Sequence, residues 1–320
     1  MSVFLLAPNE NWICDRFVQE WLAHEPFSTT QNISEASIVW LLADWCWNQI
    51  PRNILSSKKV VASVHHITPN KFNLKEQNDF ADRDQYVDLY HVPCEKTKEQ
   101  IKPYTSKPIW VQPFWVNPNL WFALDKNEIL TYRTELGLNN SHFLVGSFQR
   151  DTEGHDLISP KLEKGPDLFC DAVEDLYKFY REKGREVRVL LAGWRRQYVM
   201  KRLDTAGIKY YYAELPPFEL VNRFYNILDL YIVAARYEGG PQSIVECAVS
   251  KTPIVSTDVG LSTDFLSQES IFSPGDILNA RPNINHAYEK VQDIIIPEGF
   301  SKFVKLFENL QADRIDPHKE

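Results

Sequence analysis

The chain has no Cys-x-x-Cys pair, no Gly-x-Gly-x-x-Gly fingerprint, no polycationic cluster and no apolar run near membrane length. Each absence removes a class of function. Five scattered cysteines, Cys14, Cys46, Cys94, Cys170 and Cys247, suggest neither a disulfide framework nor a thiolate metal site, and a reducing, cytoplasmic setting is expected. With 35 basic against 43 acidic residues the net charge is -8, so the basic face of a nucleic-acid binder is missing. Runs such as Val60-Val-Ala-Ser-Val64 fall far short of the ~20 residues that span a bilayer, and no cluster of cations offers a hold on an anionic membrane. The opening Met1-Ser-Val-Phe-Leu-Leu-Ala7 lacks a basic leader and reads as a strand rather than a signal peptide. Without the dinucleotide fingerprint, a dehydrogenase is disfavoured.

What is present is an ordinary globular composition, 44% hydrophobic and 24% charged over 320 residues, enough for two modest cores. Short β-branched runs at 2–7, 37–42, 59–64, 87–92 and 109–112 read as five strands alternating with helical or mixed polar segments. Pro103, Pro108, Pro113 and Pro118 then interrupt regular structure, which places the domain boundary near residue 125. A second alternating set follows, with strands at 143–148, 187–192, 208–213, 230–235 and 253–256. Its helices are expected at 167–183, from Trp194, at 217–227 and at 242–250. The expected domains are therefore 1–125 and 126–320, both Rossmann-like, with an amphipathic last helix from Pro297 to Leu310.

One stretch joins most of the chemistry, Arg236-Tyr-Glu-Gly-Gly-Pro-Gln-Ser-Ile-Val-Glu-Cys-Ala-Val-Ser-Lys-Thr-Pro-Ile-Val-Ser256. A buried strand ends, Gly239-Gly240-Pro241 turns, and a helix begins near Gln242 with proline suited to its first position. Glu238 lies in the loop and Glu246 on the helix, roughly 9 Å further along its axis at 1.5 Å per residue. Between them lie the unpaired N–H groups of a helix N-terminus, where anions bind. Carboxylate, anion hole and carboxylate suit a ligand that is hydroxylated at both ends and phosphorylated in the middle. A nucleotide-sugar has that form.

The spacing of Glu238 and Glu246 resembles the Glu-x7-Glu signature of the retaining family-4 glycosyltransferases. Val145-Gly-Ser-Phe-Gln-Arg150 and Lys164-Gly165 resemble that family's diphosphate-binding elements. The resemblance implies an α/β protein of the GT-B fold, two Rossmann-like domains facing each other across a cleft, the last helix packing back on the N-terminal one. It implies a nucleoside-diphosphate sugar donor, a saccharide or glycolipid acceptor and no metal cofactor. Arg150 and Lys164 would stabilise the leaving diphosphate, and Glu238 would hold hydroxyls of the sugar. Glu246 would hold the ribose, with Gly146, Gly239, Gly240, Pro241 and Gln242 completing the donor site. In the first domain, the strand ending at His65-His66 resembles the family strand whose terminal histidine faces the donor, and His65 takes that place.

Eight of the nine tryptophans fall within the first 121 residues. Core packing accounts for most, but Trp45 and Trp47, directly after a strand, are candidates to stack on an acceptor sugar. Asn11 and Trp12, after the first strand, are placed with them. Asp82-Arg83-Asp84 imitates an Asp-x-Asp metal motif and is read as a solvated loop. Asp151, His155 and Asp156 form a weak metal candidate. Departures from the family are also visible: Pro8-Asn-Glu-Asn-Trp12 replaces a glycine-rich loop, and Lys251 stands where a helix-ending glycine is usual, so a different cap is expected there. Two other readings stay open, a nucleotide-sugar 2-epimerase of the same fold and a non-catalytic saccharide-binding protein.

Overall fold

The computed structural model describes residues 1–10, 13–25 and 28–312. The chain forms two compact units, 1–115 with 294–320, and 116–293. They divide at Trp115/Val116 rather than near residue 125, because Phe114 and Trp115 are fully buried among the rings of the first unit.

The first unit runs β1 (Val3–Leu6), α1 (Ile13–His24), β2 (Ile38–Leu41), α2 (Arg52–Leu55), β3 (Lys59–Ser63), α3 (Leu74–Asp84), β4 (Leu89–Val92), α4 (Glu95–Ile101) and β5 (Ile109–Val111). Its parallel sheet has the order β1-β2-β3-β4-β5. Every residue of β2 and β4 is buried, as expected of strands covered on both faces. Trp40 and Val61 face a cluster with Phe17 and Trp21 of α1, while Val39 and Val60 face one with Phe80 of α3. The helix closing the described chain, Glu298–Gln311, contributes Phe300, Phe303 and Phe307 to the first cluster.

The second unit runs α5 (Lys126–Glu135), β6 (His142–Ser147), α6 (Pro166–Glu182), β7 (Glu186–Ala192), α7 (Gln197–Ala206), β8 (Tyr210–Ala213), α8 (Phe218–Ile227), β9 (Leu230–Val233), α9 (Gln242–Ser250), β10 (Ile254–Ser256), α10 (Ser262–Phe265) and α11 (Ile284–Val291). The order is β10-β9-β6-β7-β8, all parallel. From β6 the chain steps outward through β7 and β8, then returns to β9 on the other side. The loops after β6 and β9 therefore flank a topological switch point, where open α/β sheets bind ligands.

Several expectations need correction. The helix expected from Trp194 begins at Gln197, because Gly193 (φ 98°) and Arg195 (φ 60°) adopt left-handed backbone that no α-helix accommodates. Helix α5 was not anticipated, although Asp125 and Glu128 form a capping box at its start. Asp82 to Asp84 end α3 instead of forming a loop. Arg83 is buried there, 2.8 Å from Asp44, so the triplet is structural. Lys251 does not force a different cap: it takes the left-handed conformation itself (φ 57°), and Thr252 N–H donates to Cys247 O at 2.9 Å. Among the described residues, no helix is long and apolar enough to cross a membrane.

Candidate functional site

The candidate residues of the second unit gather on the loops at the switch point. Lys164 closes a short turn after β6, and Glu238 sits in the loop after β9; the Lys164 ammonium donates to Glu238 Oε1. Their backbones are joined as well, since Arg236 N–H and Tyr237 N–H both donate to Glu163 O, at 2.8 and 3.1 Å. Gly165 explains why glycine follows the lysine. Its φ is 60°, and a Cβ there would come within 1.8 Å of Ala234 O at the end of β9. The two loops thus meet backbone to backbone, and that approach sets the lysine against the glutamate. Arg236 fixes the junction from outside through a two-pronged pair with Asp167 of α6, at 2.7 and 2.6 Å.

Helix α9 begins at Gln242 behind Pro241, and no side chain caps it. Ile244 N–H already donates to Pro241 O at 3.0 Å, and the N–H groups ahead of it stand at the end of the helix dipole that favours an anion. The Gln242 amide is buried, and among the described residues neither of its polar atoms has a hydrogen-bond partner. Behind the turn, Gly260 packs so closely that a Cβ would stand 2.3 Å from Gly239 O. Glu246 is buried one turn along α9 and accepts a 2.8 Å hydrogen bond from Tyr225 OH. Burial and the neighbouring Glu246 push the Tyr225 phenol well above its usual range, so it stays a donor.

Arg150 follows β6. Its Nε donates to Thr152 O at 2.8 Å, and its guanidinium lies 5.3 Å from the centre of the Trp194 ring. Burial, and then the charge of Arg195, hold its pKa below the usual arginine range. The preceding Gln149 donates to Lys164 O at 2.8 Å, which ties the arginine's strand end to the lysine's turn. Gly146 is different. It lies within β6, where a Cβ would meet Leu228 Cδ1 at 2.3 Å, so packing accounts for this glycine without a ligand.

The weak metal candidate is also corrected. Asp151 is buried against the equally buried Arg196 at 2.9 Å, and that guanidinium further donates to Ala192 O and Ser147 Oγ. Burial pushes the Asp151 carboxyl up against the pull of Arg196. Asp156 turns instead to Ile158 N–H, Ser159 N–H and Ser159 Oγ–H, which lower its pKa to about 2. Among the described residues no group of three metal-ligating side chains is gathered.

In the first unit, His65 lies just after β3. Its ring lies 2.8 Å from Leu42 O through Nε2 and stacks on Phe114 at 5.5 Å. Trp45 is 43% exposed and lies 6.1 Å from the His65 ring, so it keeps surface for a ligand. Trp47 does not: it is packed in the core with its Nε1–H on Asp79, which corrects its assignment to the acceptor. Asn11 and Trp12 lie outside the described residues. Cys94 is buried, as a small apolar residue would be. Sequence reasoning missed Trp194 and Arg195. The signal was present in Gly193-Trp-Arg-Arg196, a glycine-led break after a strand, and it was absorbed into the expected helix.

Residues 157–290 match the family model described as glycosyl transferases group 1. The match spans Lys164, Glu238 and Glu246 but leaves out Arg150. No curated protein sequence matches the chain. Among solved structures, Anabaena HepE in complex with UDP superposes with a TM-score of 0.72 at 13% identity, covering 96% of this chain and 99% of that one. Sucrose-phosphate synthase from Thermosynechococcus elongatus gives 0.67 at 12% identity, covering 96% and 81%. The pneumococcal O-GlcNAc transferase GtfA, with UDP and GlcNAc, gives 0.59 at 15% identity, covering 85% and 56%. The fold is GT-B, and the stretch of the second unit from 157 to 290 is similar to the group 1 glycosyltransferases.

Proposed function

We propose that this chain, a GT-B glycosyltransferase by fold and domain content, moves a sugar from a nucleoside-diphosphate donor to a saccharide or lipid-linked saccharide acceptor, with retention at the anomeric carbon. The observation that carries the reading is the Lys164–Glu238 pair set against the uncapped start of α9, with Glu246 on that same helix. Arg150, Lys164 and the first amides of α9 take up the charge that develops on the departing diphosphate, the kind of preorganised stabilisation that dominates such reactions. Glu238 orients the sugar hydroxyls. Glu246, steadied by Tyr225, holds the ribose.

The anomeric carbon–oxygen bond to phosphate breaks as the acceptor oxygen bonds on the same face. The proton of the acceptor hydroxyl passes to the departing phosphate oxygen. Retention, membership of family 4 and a cytoplasmic setting belong to this reading, which rests on the sequence resemblance and the local geometry. His65 and Trp45 are proposed to meet the sugar and the acceptor. Uridine is the first base to try, since the HepE and GtfA structures contain UDP.

Turnover of UDP-sugars with and without candidate acceptors tests the reading. Product of unchanged anomeric configuration, formed only when acceptor is present, is expected. Inverted product refutes retention, and isomerised donor in acceptor-free buffer identifies an epimerase. Binding without turnover in either arm identifies a saccharide-binding protein.

A further inference from the structure

Trp194 is half exposed, and its ring carries two guanidiniums, Arg150 at 5.3 Å and Arg195 at 5.1 Å. The left-handed backbone at Gly193 and Arg195 breaks the chain out of β7 before α7 begins and presents the ring. Asp151 N–H and Thr152 N–H both donate to Arg195 O, at 3.1 and 3.2 Å, which ties the loops after β6 and β7 together. The placement is built.

Elsewhere in this unit Arg185 donates to His142 O and lies over the Phe143 and Tyr180 rings, while Arg133, Arg188, Arg196, Arg202 and Arg236 are each matched to a carboxylate. Among the described residues Arg150 and Arg195 are not: each spends one hydrogen bond on a backbone oxygen, Thr152 O and Gly154 O, and Arg195 Nε is buried without a partner there. The charges of Glu153 and Glu163 pull the Arg150 pKa back up against burial and Arg195. Both guanidiniums lie over the Trp194 ring and the charge of Arg195 disfavours that of Arg150, a repulsion that an anion between them would relieve. Guanidiniums bind phosphate oxygens two at a time, which makes phosphate the matching anion.

We propose that Arg150 and Arg195, ordered by Trp194, form a two-guanidinium clamp for a phosphate group of a substrate. The proposal rests on the donor-site reading for Arg150 and extends it to Arg195 and Trp194. The phosphate comes either from the donor's diphosphate or from a phosphorylated acceptor. Arg195 adds a second arginine to Arg150 and Lys164 in the first case and selects the acceptor in the second.

The experiment is calorimetric titration of the full chain, as parent, Arg195→Ala, Arg195→Lys and Lys164→Ala. The probes are inorganic pyrophosphate and, with UDP present, glucose 6-phosphate; the thermal midpoint is checked for each variant. Arg195→Ala is expected to weaken one probe at least tenfold with the midpoint unchanged, and Arg195→Lys to recover part of the loss. Loss of pyrophosphate affinity assigns the clamp to the donor, and loss of glucose 6-phosphate affinity alone assigns it to the acceptor. If Arg195→Ala leaves both within twofold, or the parent binds neither, the clamp is overturned. Lys164→Ala separates the two readings: a loss confined to it leaves the donor site standing without the clamp, and a loss confined to Arg195→Ala leaves the clamp standing without Lys164.

Discussion

Each unit has its own five-stranded parallel sheet, and the two differ in what surrounds the strands. In the first unit the strand order is sequential, and rings fill the space beside it. Trp40 meets Trp21, Phe303 and Phe307 at 5.1 to 5.4 Å, and the polar groups it encloses satisfy one another. Trp40 Nε1–H donates to Ser63 Oγ, Ser63 lies 2.8 Å from His91 Nδ1, and His91 Nε2 lies 2.8 Å from Gln112 O. In the second unit the order reverses between β6 and β9, and the loops there carry Arg150, Lys164, an uncapped helix and a buried Gln242 amide unpartnered among the described residues. A closed network adds stability, whereas an open set of donors leaves interactions for a ligand to complete.

Substitutions should sort the same way. Trp40→Ala, which empties a fully buried site, should cost about 3–5 kcal/mol in denaturant unfolding; a loss under about 1 kcal/mol would mean the rings are not a core. Arg150→Ala should leave unfolding nearly unchanged yet slow transfer by about 10²- to 10³-fold, the usual effect of removing one preorganised donor. Equal kinetics in parent and variant would remove Arg150 from the site.

His91 gives the comparison a pH axis. Burial holds its pKa at about 3, below the ordinary 6.5, so the unfolded chain binds a proton that the folded chain refuses. Stability is complete above pH 6.5 and should fall, by up to ~1.4 kcal/mol per unit, as pH drops from 6.5 towards 3. Midpoints followed across that window should show the slope in the parent and a flatter line in His91→Asn; parallel lines would contradict it. The smallest effect belongs to Lys251→Gly, which relieves left-handed strain at the end of α9 and should stabilise by about 1 kcal/mol. Destabilisation would show that the contact of the Lys251 ammonium with the Tyr288 ring, at 4.3 Å, outweighs the strain.

The sequence made most strands legible because buried parallel strands are continuous apolar runs, and 142–147 or 230–233 can hardly be read otherwise. The bounds of α9 matched because Pro241 marks its start. What escaped was set by backbone conformation or by distant partners. Gly193 marks a break after the strand, but nothing local says that Arg195 also turns left-handed and so frees Trp194 from a helix. The burial of Trp47 and the pairing of Arg83 with Asp44 depend on packing between segments far apart in the chain. Glu246 was singled out by its spacing from Glu238, but Tyr225, its donor, lies 21 residues away with no pattern linking the two.

The central claim is that the loops after β6 and β9, with the start of α9, bind a nucleoside diphosphate. Thermal unfolding of the parent and of Glu246→Ala against a panel of nucleoside diphosphates tests it most directly. One base should raise the parent's stability by about 2.7 kcal/mol at 100 times its dissociation constant, and Glu246→Ala should lose most of that gain. A parent indifferent to every diphosphate, or a variant that keeps the full gain, would contradict the account.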